Sequence, residues 1–429
     1  MKHLLLLLIT LIVLRVHSQD LMFKKIIENP KIDARLTTLT DTERKEAGIM
    51  LKNQTYIEYH FDSLGQLECW QGVLKRIKIN DSKALEIYNK IVLPVPNPDD
   101  LSYIKARSIS KNGLVKEVGI EAVRELEERG RIYKILAVEG LEVGGELEYV
   151  SLFRRNTTLF GTEILQSEIP ARSCELKIIA PKHLQFEAKA YNTAANIVSD
   201  TLQEKSILTV TVNNLGVIQE EKYANLRANV ARIDYKLSYN LSRGDERLYT
   251  WAGAADTFYD YLNTGLDESK KAIDALIIKE KWKGLPPEMA IRKIENYIKT
   301  NIALKEDEEV GSADEVLQKQ YGAKAGIVRL YIAIFEALKI PYETVVGCSR
   351  ADAIFDKDFE SWNFLDEYLF YFPLAKKFLD PANPIYRYGM IDQYMEGNYA
   401  LFIQKKSDKF GTTAVGEIRK IPFSTITDN

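Results

Sequence analysis

Tyr321 to Ile340 reads YGAKAGIVRLYIAIFEALKI. After Gly322 and a short step come Ile327, Leu330, Tyr331, Ile334, Phe335 and Leu338, apolar residues at three- and four-residue spacing. That period puts them on one side of an α-helix and predicts that the side is buried. Ile340 and Pro341 close the segment, and Tyr342 to Val346 behind it reads as an extended run. Upstream, Asp256 to Leu262 and Glu268 to Lys281 are candidate helices. Pro286-Pro287 opens another, with Met289, Ile291, Ile294, Tyr297 and Ile298 in helical register. Ser312-Ala313-Asp314-Glu315 reads as a capping box for a short helix ending near Gln320. Helices followed by strands predict an α+β domain over 250–402.

The chain before it has a different period. Alternating runs occur at Thr55 to Phe61, Val73 to Ile79, Ala84 to Leu93, Ser102 to Ser110, Arg131 to Val138, Glu146 to Arg154, Glu175 to Ala180, Phe186 to Tyr191 and Ser206 to Val212. Turn formers such as Ser63-Leu64-Gly65, Lys111-Asn112-Gly113 and Val143-Gly144-Gly145 separate them, and one helix is expected at about Gly119 to Arg129. Short strands at this spacing predict an antiparallel β-sandwich over 53–240. The expected class is therefore multidomain β plus α+β, with a lead segment at 19–52 and a C-terminal tail at 403–429.

Composition narrows the chemistry. Lys2 and His3 precede an apolar stretch, Leu4 to Leu14, and Val16-His17-Ser18 resembles a leader-peptidase site. This predicts a signal peptide at 1–18, too short to span a bilayer, and a mature chain that is periplasmic or secreted, with no membrane span after cleavage and no cysteine at Gln19 to take a lipid. Removing Lys2 and Arg15 moves the formal charge from -3 to -5, with both signs interspersed, which argues against a nucleic-acid partner. Three cysteines leave one over if Cys69 and Cys174 pair, and the four histidines are His3, His17, His60 and His183. No imidazole follows residue 183, so Cys348 could be served only by His60 or His183. No GxSxG elbow, HExxH helix, Walker-type glycine loop or CxxC pair occurs, and neither cofactor nor metal is expected.

The helix from Gly322 resembles the core of the transglutaminase-like superfamily, whose pattern is glycine, any residue, cysteine, then a buried helix closing in a glycine-isoleucine-proline-like turn. On that pattern Lys324 stands in the cysteine's place. A thiolate there would gain from the positive end of the helix, whereas a lysine works against it. Trp362-Asn363-Phe364 falls on the family's asparagine-histidine-like pair, so Phe364 replaces the imidazole. Leu379-Asp380-Pro381 keeps the turn that carries the orienting acid. Val143 to Tyr149, with Lys105-Ala106-Arg107 and Lys111-Asn112-Gly113, resembles an uncharacterised β-sandwich domain that precedes such cores in exported bacterial proteins. The resemblance covers about Asn53 to Phe402 and implies a papain-like core with a degenerate triad.

It implies a non-catalytic binding or assembly protein of the cell envelope, its cleft holding a peptide, glycan or protein partner at Lys324, Trp362, Phe364 and Asp380. Trp362 and Phe364 are expected on one strand face, within an aromatic and acidic stretch from Phe355 to Phe372, and Lys324 is expected to pair with Asp380. Asp380 before a proline reads first as a turn former that caps its own backbone. The alternative is a cysteine peptidase or acyl transferase with a displaced site at Cys348.

Overall fold

A computed structural model describes residues 21–24, 35–93, 95, 100–128, 131–219, 221–222, 224–306, 310–408 and 411–423. The expected signal peptide at 1–18 lies outside them. The chain divides into two compact units, the first running to Leu159 and continuing as Leu165–Ala188 and Thr193–Val217, the second comprising Phe160–Ile164, Lys189–Asn192 and Ile218–Asn429. The architecture is multidomain β plus α+β.

The first unit is built on an eight-stranded sheet in the order Asn196–Leu202, Lys205–Leu215, Ala171–Pro181, Gly48–Phe61, Leu67–Ile79, Glu146–Arg155, Leu101–Ile109, Val115–Gly119. Its neighbours are antiparallel except at the centre, where Gly48–Phe61 runs parallel to Ala171–Pro181. The expected all-antiparallel arrangement therefore fails at that pair. Ile57, Tyr59, Ile77, Leu147, Leu176 and Val210 are buried within the sheet's core. Cys69 is in register with Tyr59 and Cys174 with Asn53, on opposite sides of the Gly48–Phe61 strand. That strand lies between them, and both are free buried thiols, so the pairing that the sequence left open does not form.

Two local expectations are corrected. Ala84 to Leu93 is not one strand, because the Asp81 carboxylate accepts the Ala84 N–H at 3.0 Å and starts a helix, Ser82–Tyr88, leaving only Lys90–Leu93 extended. Gly119 to Arg129 is not a helix. Arg124–Glu128 is a strand paired with Arg131–Ala137, with Glu125 and Lys134 opposite each other as an ion pair. Ile120 and Leu126 are largely exposed, so no apolar face existed to be buried as a helix.

In the second unit a five-stranded antiparallel sheet runs in the order Lys377–Leu379, Glu367–Phe372, Glu343–Gly347, Tyr399–Asp408, Gly411–Lys420. The last two strands correct the expected tail at 403–429: Leu401, Phe402, Ile403 and Ile421 are buried, and the strands Tyr399–Asp408 and Gly411–Lys420 complete the sheet. Strand Arg232–Asn240, expected in the sandwich, pairs with Phe160–Ile164 and belongs to the second unit.

The central helix, Lys324–Leu338, packs Leu330, Tyr331, Ile334 and Phe335 against Phe370, Phe372 and Leu379 of this sheet. Its end is a left-handed Lys339 (φ 55°), after which the Ile340 N–H donates to the Phe335 carbonyl at 2.9 Å. Its start is held close to the neighbouring chain, since a Cβ on Gly326 would lie 2.5 Å from the Val310 carbonyl oxygen. In an open helix Gly→Ala gains about 1 kcal/mol. Here a contact with rigid backbone costs about 1–3 kcal/mol. Gly326→Ala is therefore expected to lower the stability of the second unit, seen as a lower urea midpoint; a rise would show that the helix head has room to move.

Candidate functional site

The site is organised by the head of the central helix. Lys324 is its first residue, and its Nζ lies 3.0 Å from Glu367 Oε2 and 3.9 Å from Glu306 Oε1. Burial pulls the ammonium's pKa down, but the hydrogen bond and charge of Glu367, with Glu306 behind it, outweigh that and raise it. Lys324 is therefore held as a cation despite the unfavourable end of the helix dipole.

Asp380 is not its partner. Asp380 Oδ1 accepts the N–H groups of Ala382 and Asn383 at 3.1 and 2.9 Å, which makes it the former of its own turn. Burial pushes its carboxyl up, opposed by those two bonds and by the charge of Lys299. Lys299 is itself paired with Glu295 at 3.0 Å, both almost fully buried. The expected Lys324–Asp380 pair is absent because Asp380 and Lys324 each have other partners.

Trp362 and Phe364 occupy a single 3-10 turn, Trp362–Phe364, so the expected shared strand face does not exist. The turn starts at Ser361, whose hydroxyl accepts the Asn363 N–H at 3.4 Å. Phe364 is 1% exposed, with ring centroids 5.2 Å from Phe355 and 6.4 Å from Tyr191; it is core and offers a ligand no surface. Trp362 is half-buried among the half-buried rings of Tyr249 (4.9 Å), Phe160 (6.2 Å) and Phe258 (6.4 Å), and Phe258 in turn meets Tyr368 at 6.1 Å. Tyr368 follows Glu367 on the strand Glu367–Phe372, so the two side chains leave it on opposite faces.

Cys348 is 2% exposed. Its thiol donates to the Ala353 carbonyl at 3.4 Å, and the Asn398 side-chain amide approaches the sulfur at 3.6 Å. Burial pushes the thiol's pKa far above its ordinary value and so favours the protonated form. His60 belongs to the first unit, buried beside Glu68 (3.5 Å), and burial lowers its pKa.

Strand Arg232–Asn240 carries charges that sequence reading passed over. Arg232, Asp234, Lys236 and Ser238 alternate with Ile233, Tyr235 and Leu237, and all seven are buried. Arg232 lies 3.4 Å from Asp234 and stacks over Tyr191 at 4.5 Å, and the Thr162 hydroxyl donates to Asp234 at 2.8 Å. The strict two-residue alternation of charge was the available signal. The acids of the 355–372 stretch serve the same purpose: Asp356 accepts from Lys189 and from the Tyr191 hydroxyl, and Glu360 from Arg247. Among the described residues no group of three or more His, Cys, Asp or Glu converges as a metal site. A hollow of 490 Å³ lies toward the other end of the central helix, between Tyr259, Asn263, Glu336 and Lys405.

Residues 73–218 match the model of a domain of unknown function with a solved structure (DUF3857). No curated protein matches the chain. The fold is similar to that of a presumptive protease from Parabacteroides distasonis, with a TM-score of 0.62 at 15% identity over 89% of this chain and 72% of that one. An M1 zinc metallopeptidase from Deinococcus radiodurans overlaps 44% of this chain and 42% of its own at 11% identity, and its TM-score of 0.24 carries no argument. The first likeness bears on the fold alone.

A turn-forming role for Asp380 has a distinct signature. Asp380→Asn keeps the oxygen that accepts the two N–H groups and is expected to be nearly neutral, whereas Asp380→Ala should cost about 1–2 kcal/mol. Because the folded-state pKa is raised, the carboxyl's contribution is full below the ordinary carboxylate range and is lost as pH rises through the folded value. Thermal melts of Asp380→Asn should therefore gain on the parent as pH rises from acid to neutral; equal loss in both variants would point to a role for the charge itself.

Proposed function

We propose that this chain is a non-catalytic, exported binding or assembly protein, built on a transglutaminase-like core whose reactive groups have been replaced. One observation carries the reading: Lys324, paired with Glu367 and Glu306, heads the central helix where the resemblance puts a nucleophilic cysteine. A protonated amine has no lone pair with which to attack a carbonyl. Phe364 can take up no proton, and Cys348, the remaining thiol of this unit, is buried and favours its protonated form. The displaced-site enzyme would need an accessible, acidic Cys348 beside a base.

The same unit has groups suited to holding a partner. Half-buried rings at Trp362, Tyr249, Phe160, Phe258 and Tyr368 form one cluster, and Lys324, Glu306 and Glu367 form a charged one. Aromatic faces with a few fixed polar anchors suit a peptide or a glycan of the envelope. Export is supported by the leader-like stretch from Lys2 to Ser18. No described helix is long and apolar enough to cross a membrane.

The test treats the intact chain with iodoacetamide and incubates it with peptide and amine substrates, then titrates it with envelope peptides and glycan fragments. Cys348 should be alkylated only after denaturation, no product should form, and binding should be lost in Trp362→Ala with the fold retained. Turnover abolished by Cys348→Ser would overturn the non-catalytic reading; binding unchanged in Trp362→Ala would move the surface elsewhere.

A further inference from the structure

Two hollows of the second unit run into one another. The first, of 490 Å³, lies between the end of helix Trp251–Asn263, the start of helix Leu266–Lys279 and the end of the central helix. The second, of 320 Å³, lies between the end of the central helix and the strands Glu343–Gly347 and Tyr399–Asp408. They share Tyr259, Asn263, Glu336 and Lys405, and so make one groove. Neither Trp362 nor Lys324 lines it.

Backbone is left open along one side of this groove. Strand Glu343–Gly347 pairs with Tyr399–Asp408 only from Gly347 opposite Ala400 to Thr344 opposite Ile403. Beyond Ile403 the longer strand runs on to Asp408 with Gly411–Lys420 on its other side alone. Alternate residues of 404–408 therefore turn their N–H and C=O groups to the side where Glu343–Gly347 has ended, and among the described residues no strand meets them there. Gln404 and Lys405 line the groove at that point. An open strand edge in a groove is a template for an extended chain, whose main-chain groups it satisfies.

The walls select the side chains. At the strand end the lining is largely apolar, from Pro341, Pro373 and Ile403 with the ring of Tyr342. At the helix end it includes Asp267 and Glu268, both exposed in the first turn of Leu266–Lys279. The other charges around the groove are answered within the protein: Lys405 pairs with Glu336 at 2.8 Å, Lys270 with Asp274 at 2.8 Å, and Glu343 with Arg419. Among the described residues Asp267 and Glu268 have no ion-pair partner, so the helix end carries an uncompensated negative charge.

We propose that the groove binds an extended basic peptide, its backbone adding to residues 404–408, its apolar side chains on Pro341 and Pro373, and a basic side chain against Asp267 and Glu268. Main-chain hydrogen bonds supply the affinity, and the unlike ends of the groove supply the preference for sequence. This site is additional to the aromatic cluster around Trp362 and does not depend on it.

The probe is a short fluorescein-labelled peptide of alternating lysine and valine, titrated with the intact chain and followed by anisotropy, with a glutamate-and-valine peptide as its counterpart. The lysine peptide should bind and the glutamate peptide should not. Asp267→Asn combined with Glu268→Gln should weaken binding about tenfold, the size of two exposed ion pairs. Added salt should weaken the parent more than this variant. Hydrogen exchange on the unaltered chain gives a second reading: the lysine peptide should slow those amides of residues 404–408 that point away from Gly411–Lys420. No binding of the lysine peptide at about 1 mM, equal binding of both peptides, or binding unchanged in the double variant overturns the proposal. So does protection at Trp362–Phe364 in place of residues 404–408, or protection of those amides by a soluble glycan and not by the peptide.

Discussion

Burial of the central helix is the constraint on which the second unit depends. Nine residues from Gly326 to Phe335 are buried, and Phe370, Phe372 and Leu379 of the sheet pack against them. Burial on this scale, at about 25 cal/mol per Å² of apolar surface, outweighs any single polar contact nearby. The glycine contact with Val310 then leaves the helix no freedom to slide, so whatever residue comes first must sit where Lys324 sits. Glu306 and Glu367 answer that forced position: a cation at the wrong end of a helix is tolerable when carboxylates flank it.

The same economy governs charges placed inside the protein. Lys299 with Glu295, Arg232 with Asp234 and Lys205 with Glu58 are pairs with both side chains at most 7% exposed. Each would be strongly destabilising if one member were removed, because the other would be left as a buried, uncompensated charge. Such pairs add little net stability, but they penalise any packing that separates them.

Much of the second unit was legible because its signals are local and periodic: the apolar stripe from Ile327 to Leu338, the Pro286-Pro287 helix start, and the turn at Asp380. What was not legible depended on distant partners. The charges of Arg232–Asn240 acquire meaning only once strands far apart in sequence lie side by side, whereas Asp81, which caps Ala84 three residues on, was a local signal outweighed by the alternation that follows it. The candidate site was half legible for the same reason. The family resemblance put Lys324 at the helix head, but its pairing with Glu367 in place of Asp380 was decided by the sheet. Phe364 misled because a short apolar-polar alternation is equally compatible with a 3-10 turn feeding the core.

The parallel pair at the centre of the first unit also sets an order of events. Gly48–Phe61 finds one neighbour, Leu67–Ile79, almost at once as the chain emerges, but the other, Ala171–Pro181, only after more than a hundred residues have followed. Lys205–Leu215 and Asn196–Leu202, which extend the sheet beyond it, come later still. A chain made or threaded from its N-terminus thus carries a long hairpin with one bare edge until its middle arrives, and closing so wide a loop is slow. During that interval the bare edge can pair with a neighbouring chain, which makes the rate of delivery, as much as the final stability, a determinant of how much of the protein reaches its native state.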